Sequence, residues 1–135
     1  MERPAVVRIG AAPNWAALRF GVPEERFEMR VLRDALGCEH IGVSWLRFAP
    51  SWRSPVGHRH PAGEEVYVLV DGSARMKIDE QIVEMEAPSA VRVRGEQLRA
   101  IRPLGDAGAV FVVAGHPIDD PDATEIVRDF WPPED

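Results

Sequence analysis

Proline and glycine interrupt this chain so often that long helices have little room to form. The 135 residues include 12 prolines and 11 glycines, which fall at short intervals along the sequence. Proline ends or kinks a helix and glycine weakens one, so the intervening pieces favour short strands and turns. The sequence therefore predicts a fold made of many short elements.

Most of these pieces show the residue patterns that are typical of strands. Residues 27–31 alternate apolar and charged side chains, and residues 90–94 place valines on one face and arginines on the other. Residues 66–70 and 109–114 are apolar throughout and rich in β-branched residues, which favours strands covered on both faces. Four segments of the chain are thus predicted to be strands on their pattern alone.

Two tight turns are expected after the apolar run at residues 66–70. Asp71–Gly72 predicts a turn that ends this strand, because glycine accepts a positive φ without steric cost. A second hairpin is expected between residues 74–78 and residues 81–85, with its turn at Asp79–Glu80. These turns connect neighbouring strands and favour an antiparallel arrangement.

Helix is expected only as two short turns, at residues 14–18 and within residues 121–128. About nine short strands with turns every 8 to 12 residues indicate an all-β sandwich or barrel. A chain of 135 residues is one domain in length and buries roughly two-thirds of its unfolded surface, so it can fold without a disulfide or metal.

The charges are divided unevenly along the chain. The sequence has 22 acidic and 16 basic residues, and residues 119–135 contain seven of the acids and only one of the bases. The remaining 118 residues are neutral and present no basic excess to nucleic acid, and no apolar run is long enough to cross a bilayer. We expect no nucleic-acid or membrane partner. Cys38 is the only cysteine, which favours a reducing compartment, the cytoplasm.

The most informative segment contains two histidines and a glutamate. His58 and His60 project to the same side of an extended chain, and Glu65 opens the next strand after a four-residue turn. Two imidazoles and a carboxylate suit one divalent ion such as Fe, Mn, Ni or Zn, and they leave coordination positions open. The pattern favours a metal site. The alternatives are a polar pocket without metal and a surface loop that carries two histidines.

The order His58-x-His60, four residues, Glu65, six residues and Gly72 resembles the first motif of the cupin superfamily. The resemblance covers about residues 40–115. It implies that the two histidines and the glutamate bind a metal ion inside a barrel.

The resemblance also implies a fold and an assembly. We expect one cupin-type jelly-roll β-barrel with little helix over residues 1–135, with its core at about 27–115 and an acidic C-terminal tail at about 119–135. Small cupins commonly pair, so a homodimer is expected. Phe130 and Trp131 are apolar residues within the acidic tail, and they indicate that the tail docks on the body or on a partner.

The second cupin motif keeps its spacing here but not its residues. Its frame follows Gly72 after fifteen intervening residues and reads Pro88, Arg94, Glu96, Arg99 and Pro103. In similar proteins the position of Arg99 holds a fourth ligand histidine. A guanidinium stays protonated and has no lone pair for a metal, so at most three protein ligands are expected.

Three arrangements of Arg99 remain open from the sequence. Beside a bound metal ion, Arg99 would hold the carboxylate of a substrate through two hydrogen bonds. Without metal, Arg99 would pair with Glu65 in an anion-binding cavity. A strand register shifted by one residue would instead turn Arg99 outward and place Leu98 in the core. Tyr67 has the same strand parity as Glu65 and is expected to line the cavity, where it could donate to a ligand, although core packing is the more frequent role of such a tyrosine. Arg99 and Tyr67 are the candidate substrate-binding residues.

Two classes of function follow from this pattern. One is a metal-dependent cupin that acts on a small anionic organic molecule as an oxygenase, isomerase or lyase. The other is a non-catalytic cupin that binds or senses a metabolite, with or without metal. An enzyme would bind metal and turn over its small-molecule ligand, whereas a sensor would bind the ligand without forming product.

Overall fold

The computed structural model of the protein describes residues 3–61 and 63–133. Strands predominate over these ranges, and none of the helices there is long and apolar enough to cross a membrane. The helices are α1 (Trp15–Phe20) and α2 (Arg33–Leu36), with 3₁₀ turns at Ile9–Ala11 and Pro121–Ala123. The strands are β1 (Phe27–Val31), β2 (Gly42–Phe48), β3 (Gly57–Arg59), β4 (Glu64–Ile78), β5 (Gln81–Glu86), β6 (Ser89–Arg94), β7 (Arg99–Gly115) and β8 (Glu125–Val127).

Two long antiparallel strands organise the whole sheet. β4 and β7 pair with each other from Glu65↔Gly115 to Ile78↔Arg99. The first half of β4 also pairs with β6 and its second half with β5, while β7 pairs with β3 at its start and with β2 at its end. The sheet therefore curls into two facing layers, and the predicted all-β jelly-roll barrel with little helix is confirmed.

The core lies between these two layers and follows the alternation along the strands. Tyr67 and Leu69 of β4 and Phe111 and Val113 of β7 point inward and are buried. Their intervening neighbours point outward, as the period of two requires. The remaining buried members of this cluster are Leu46, Phe48, Ala74, Met76, Met85, Val93, Ile101 and Ala109.

The turn predicted at Asp71–Gly72 is wrong, because β4 continues through it. The register between β4 and β7 shifts at this point, and the strand bends without reversing. Gly72 has φ +85°, and a Cβ atom there would lie 2.1 Å from the backbone oxygen of Gly108. Glycine is needed here for a bend and a close backbone contact. The second predicted turn is confirmed: Asp79 has φ 51° and lies in the β4–β5 hairpin.

The two predicted helical turns have different outcomes. Asn14 caps α1, with its side chain accepting a hydrogen bond from the Ala16 backbone N–H at 3.2 Å, so this helix is confirmed. Within residues 121–128, only a single 3₁₀ turn forms before β8. The helix prediction there is largely wrong because β8 pairs with β3, a long-range contact that local sequence does not reveal.

The C-terminal segment, residues 119–133, packs against the body of the protein. Phe130 and Trp131 are buried and pack with Ala100 on the outer side of β7. Lys77 Nζ donates to the carbonyl oxygen of Phe130 at 2.7 Å, and the guanidinium of Arg102 lies 4.2 Å from the ring centre of Trp131. An apolar anchor with two cation–π contacts therefore holds the C-terminal segment at Phe130 and Trp131.

We predict that Gly72→Ala destabilises the fold more than Gly105→Ala does. Both glycines have positive φ, but a Cβ at Gly105 would meet no atom within 4 Å. Strain from the left-handed backbone costs about 1–2 kcal/mol at either position. At Gly72, the overlap with Gly108 adds about 1–3 kcal/mol. Urea denaturation of both variants measures the difference, and equal losses would contradict the close-contact argument.

Candidate metal centre

The candidate site lies where the two layers of the barrel face each other. His58 lies in β3 and His60 directly follows it, while Glu65 belongs to the opposite layer at the start of β4. One nitrogen or oxygen atom from each of these three side chains lies within 4.8 Å of the other two. The structure thus brings together all three residues that the sequence predicts as metal ligands.

The spacing of these donor atoms fits a divalent metal ion. Ligands at about 2.1 Å from a tetrahedral ion are about 3.4 Å apart. The distance from His60 Nε2 to Glu65 Oε1 is 3.6 Å. Small side-chain movements would therefore let the three donors hold one ion, and the donor types are those that borderline divalent metals prefer.

Both histidines are kept neutral by their surroundings. Burial lowers the pKa of His58 to about 3, and the positive charge of Arg99 and the neighbouring His60 add to the effect. Burial also lowers the pKa of His60, with Glu65 opposing the shift and Arg99 supporting it. Neutral imidazoles retain the lone pair that a metal ion requires, so the protonation state at neutral pH suits coordination.

Arg99 occupies the interior beside this group. Its side chain is only 1% exposed, and its Nη2 atom pairs directly with Glu65 Oε1. Nη1 donates to the backbone oxygens of Gly95 and Gln97, at 3.0 and 2.8 Å. Burial opposes the charged form, but Tyr67 and Glu65 outweigh it and raise the pKa of Arg99. The guanidinium is therefore a fixed, fully charged part of the site.

The position of Leu98 decides one of the three arrangements left open by the sequence. Leu98 packs against the cluster formed by Ala100, Phe130 and Trp131, on the outer side of the layer. The alternative in which Leu98 fills the interior position and Arg99 turns outward is wrong. The direct Arg99–Glu65 ion pair is the contact that the arrangement without metal predicts.

Tyr67 connects the two charged side chains. Its hydroxyl group donates to Glu65 Oε1 at 3.2 Å and accepts a hydrogen bond from Arg99 Nε at 3.2 Å. Burial, followed by the charge of Glu65, raises the pKa of Tyr67, so the phenol stays neutral. The candidate substrate-binding residues Arg99 and Tyr67 thus both contact the carboxylate of the predicted metal ligand.

Thr124 is a contact of the site that the sequence analysis missed. Its Oγ1 atom lies 2.9 Å from His60 Nδ1. Thr124 is the only threonine in the chain, and it lies 64 residues after His60 without any motif around it. Only the pairing of β8 with β3 places it there.

The opening of the site to solvent is small. The side chains of His60 and Glu65 are 10% and 16% exposed. Two surface depressions, of about 390 and 590 Å³, lie elsewhere: one beside Trp52 and one beside His40 and His116. Neither is lined by any of the three candidate ligands.

Comparison with known proteins identifies the fold. No family model and no curated protein matches the sequence. Among solved structures, a cupin protein from Bacteroides fragilis superimposes with a TM-score of 0.62 at 22% identity, covering 73% of this chain and 81% of that chain. The protein has the cupin fold. The resemblance drawn from the first motif is confirmed at this level.

Two further structures with this fold belong to proteins of different kinds. A predicted oxalate decarboxylase from Thermotoga maritima matches with a TM-score of 0.56 at 16% identity, covering 68% of this chain and 81% of that chain. The cupin_2 domain of an XRE family transcriptional regulator from Enterobacter cloacae matches with a TM-score of 0.57 at 20% identity, covering 68% and 97%. At these identities the likeness establishes the fold alone.

We predict that Arg99→Met destabilises the protein by about 3–5 kcal/mol, because the variant leaves the carboxylate of Glu65 without its cation in a largely buried position. Adding Glu65→Gln removes that charge and should recover at least about 1 kcal/mol. Urea denaturation in the presence of a chelator measures both variants.

The matched control for this pair is Arg59→Met. Arg59 forms an ion pair with Glu125 in which both side chains are well exposed, so its loss should destabilise the protein much less than the loss of Arg99 does. If the double variant is no more stable than Arg99→Met alone, the ion pair does not account for the stability of the site.

Proposed function

We propose that this cupin holds one divalent metal ion (Fe, Mn, Ni or Zn) through His58, His60 and Glu65 and acts on a small anionic organic molecule. The convergence of the three donors within 4.8 Å supports this proposal. A bound ion would supply Lewis-acid or redox chemistry of the oxygenase, isomerase or lyase type. In this proposal His58, His60 and Glu65 hold the ion, and Arg99 and Tyr67 orient the anionic molecule.

The charge balance of the site favours an anionic ligand. The positive charge of Arg99 cancels the negative charge of Glu65, and both histidines are neutral. The two positive charges of a bound ion would therefore stay uncompensated by these side chains. Negatively charged groups would be attracted to the open coordination positions, and the low polarity around the site would strengthen this attraction.

Arg99 and Tyr67 are proposed to assist the ligand from beside the metal. Both side chains contact Glu65 Oε1 and border the same interior space. Arg99 adds a permanent positive charge, and Tyr67 adds a neutral hydroxyl. The neighbour from Thermotoga maritima is named as a predicted oxalate decarboxylase, and oxalate is a small anion of the class that such a site would accept.

A second candidate function is binding or sensing of a metabolite without catalysis. The direct ion pair between Arg99 and Glu65 favours it, because this pair neutralises the carboxylate without a metal ion. The domain from the Enterobacter cloacae transcriptional regulator shows the same fold in a regulatory protein. Elemental analysis of protein purified without chelator or metal-affinity resin tests the first proposal, because that proposal requires stoichiometric metal, whereas the second allows binding with or without it.

The proposed assembly is a homodimer in the cytoplasm. The outer face of β2, β4 and β7 carries a group of apolar side chains: Val43, Trp45, Val66, Val68, Val112 and Ala114. A second copy of the same face would cover these residues, as an isologous contact does. The single cysteine, Cys38, supports a reducing compartment.

Replacing His58 and His60 with alanine should abolish metal binding while the barrel remains folded. The variant keeps one of three ligands, and the apolar core does not depend on the ion. Metal content is measured by elemental analysis and the fold by circular dichroism. The control is the double alanine variant of His40 and His116, which lie outside the site. Full metal content in the His58/His60 variant would refute the assignment.

Arg99→His should tighten metal binding tenfold or more, about 1.4 kcal/mol. The substitution removes a positive charge next to the ion and adds an imidazole donor. It should also weaken binding of a small carboxylate such as oxalate by about 1.5–3 kcal/mol through the lost charged hydrogen bond. Calorimetric titration measures both. Leu98→His, one residue away and facing outward, is the control and should leave both affinities unchanged.

Light scattering should give twice the chain mass of 15.0 kDa. Val66→Lys, at an outward position that is 40% exposed, should shift the protein to monomer because it places a charge within the apolar face. Ile82→Lys, at a similarly exposed position of β5 in the other layer, is the control. A wild-type monomer at micromolar concentration would contradict the proposed dimer.

A further inference from the structure

The C-terminal segment reaches the candidate metal centre at one side chain. β8 pairs with β3 in antiparallel register, Gly57 opposite Val127 and Arg59 opposite Glu125. One further step along the same register places His60 opposite Thr124. The contact between these two side chains, 2.9 Å from Oγ1 to Nδ1, is therefore a direct extension of the strand pairing.

The segment is held in this register at several points beyond Thr124. Arg59 Nε and Glu125 Oε2 form an ion pair at 2.6 Å on the outer side. Farther along, Phe130 packs so closely on Gly57 that a Cβ atom there would lie 2.3 Å from its ring. The backbone N–H of Trp131 donates to the Pro55 carbonyl oxygen at 2.9 Å. Thr124 is therefore presented to His60 by a well-anchored strand.

The contact with Thr124 determines how the His60 ring is turned. The main chain of His60 is already fixed, because its N–H donates to the Gly95 carbonyl oxygen at 2.9 Å. The imidazole ring can still rotate about the side-chain bonds, so its orientation needs a further contact. With Nδ1 engaged by Thr124, Nε2 lies towards Glu65, 3.6 Å from Oε1. Rotating the ring by half a turn about its Cβ–Cγ bond would move Nε2 away from the donor atoms of His58 and Glu65.

The chemistry of a hydroxyl group suits this task. The Oγ1 atom of threonine can accept a hydrogen bond from Nδ1–H, which leaves the lone pair on Nε2. A partner on the outer nitrogen is what orients a ligand histidine and fixes its tautomer in metal sites. Valine has nearly the same shape as threonine and lacks the hydroxyl group, whereas serine keeps it.

We infer that Thr124 is a positioning residue that holds the ring of His60 with Nε2 facing His58 and Glu65, so that the C-terminal segment completes the site from outside the barrel. The expected effect on metal affinity rests on the proposed metal-binding function. The orientation of the His60 ring is a property of the metal-free protein and can be tested without metal.

The test compares wild type with Thr124→Val and Thr124→Ser in two measurements. In metal-free protein, ¹⁵N NMR of the histidine rings, assigned with a His60→Gln variant, reports the tautomer of His60. Wild type and Thr124→Ser should show the Nδ1-protonated form, and Thr124→Val should show a mixture. Competition titration with Zn²⁺ should then give about a 10–100-fold weaker affinity for Thr124→Val and near wild-type affinity for Thr124→Ser.

A matched control separates the hydroxyl group from the docking of the segment. Glu125→Gln removes the neighbouring ion pair with Arg59 and leaves Thr124 in place, so it should keep both the tautomer and the Zn²⁺ affinity. Equal losses in Glu125→Gln and Thr124→Val, or equal losses in the valine and serine variants, would overturn the inference.

The failure of the proposed function would look different from the failure of this inference. If wild type binds no Zn²⁺, the metal site is refuted, and the NMR spectra alone decide whether Thr124 orients His60. If wild type binds Zn²⁺ and Thr124→Val matches it in affinity and in spectrum, the metal site stands and the role of Thr124 is refuted.

Discussion

The buried ion pair between Arg99 and Glu65 links the two layers of the barrel and sets the chemistry between them. Arg99 starts β7 in one layer, and Glu65 lies near the start of β4 in the other. The backbone oxygens of Gly95 and Gln97 and the hydroxyl of Tyr67 accept three further hydrogen bonds from the guanidinium. A charge in this position is tolerated only because these partners compensate its lost hydration. The β6–β7 turn therefore serves as the anchor of the site.

This arrangement changes what the histidines and the glutamate can do. A fourth neutral histidine would add a donor to a metal ion, whereas Arg99 adds a positive charge and draws on the same carboxylate oxygen as Tyr67. A bound metal ion would therefore compete with the guanidinium for Glu65, and their mutual repulsion would lower metal affinity. An anion bound beside the ion would relieve the same repulsion. Metal and anionic ligand should thus bind with positive coupling, each improving the affinity for the other.

How much the sequence could predict depends on the range of the interactions. The alternation at residues 90–94, the Asp79 turn and the spacing from His58 to Glu65 are local, and each predicted the structure correctly. Asp71–Gly72 resembles a turn in isolation, but the backbone of Gly108 on another strand decides its role. The sequence could not decide whether Arg99 or Leu98 faces the interior for the same reason, because pairing with β4 sets the register of β7. Long-range pairing cannot be read from a short segment.

The position of the C-terminal segment explains the uneven distribution of charge along the chain. Its acidic residues pair with bases of the body: Asp119 with Arg33, Asp122 with Arg19 and Glu125 with Arg59. Such exposed pairs contribute little free energy each, and the burial of Phe130 and Trp131 contributes more. The apolar anchor therefore holds the segment, and the charges select its register. Because that register sets the partner of His60, residues far outside the barrel core help to shape the candidate site.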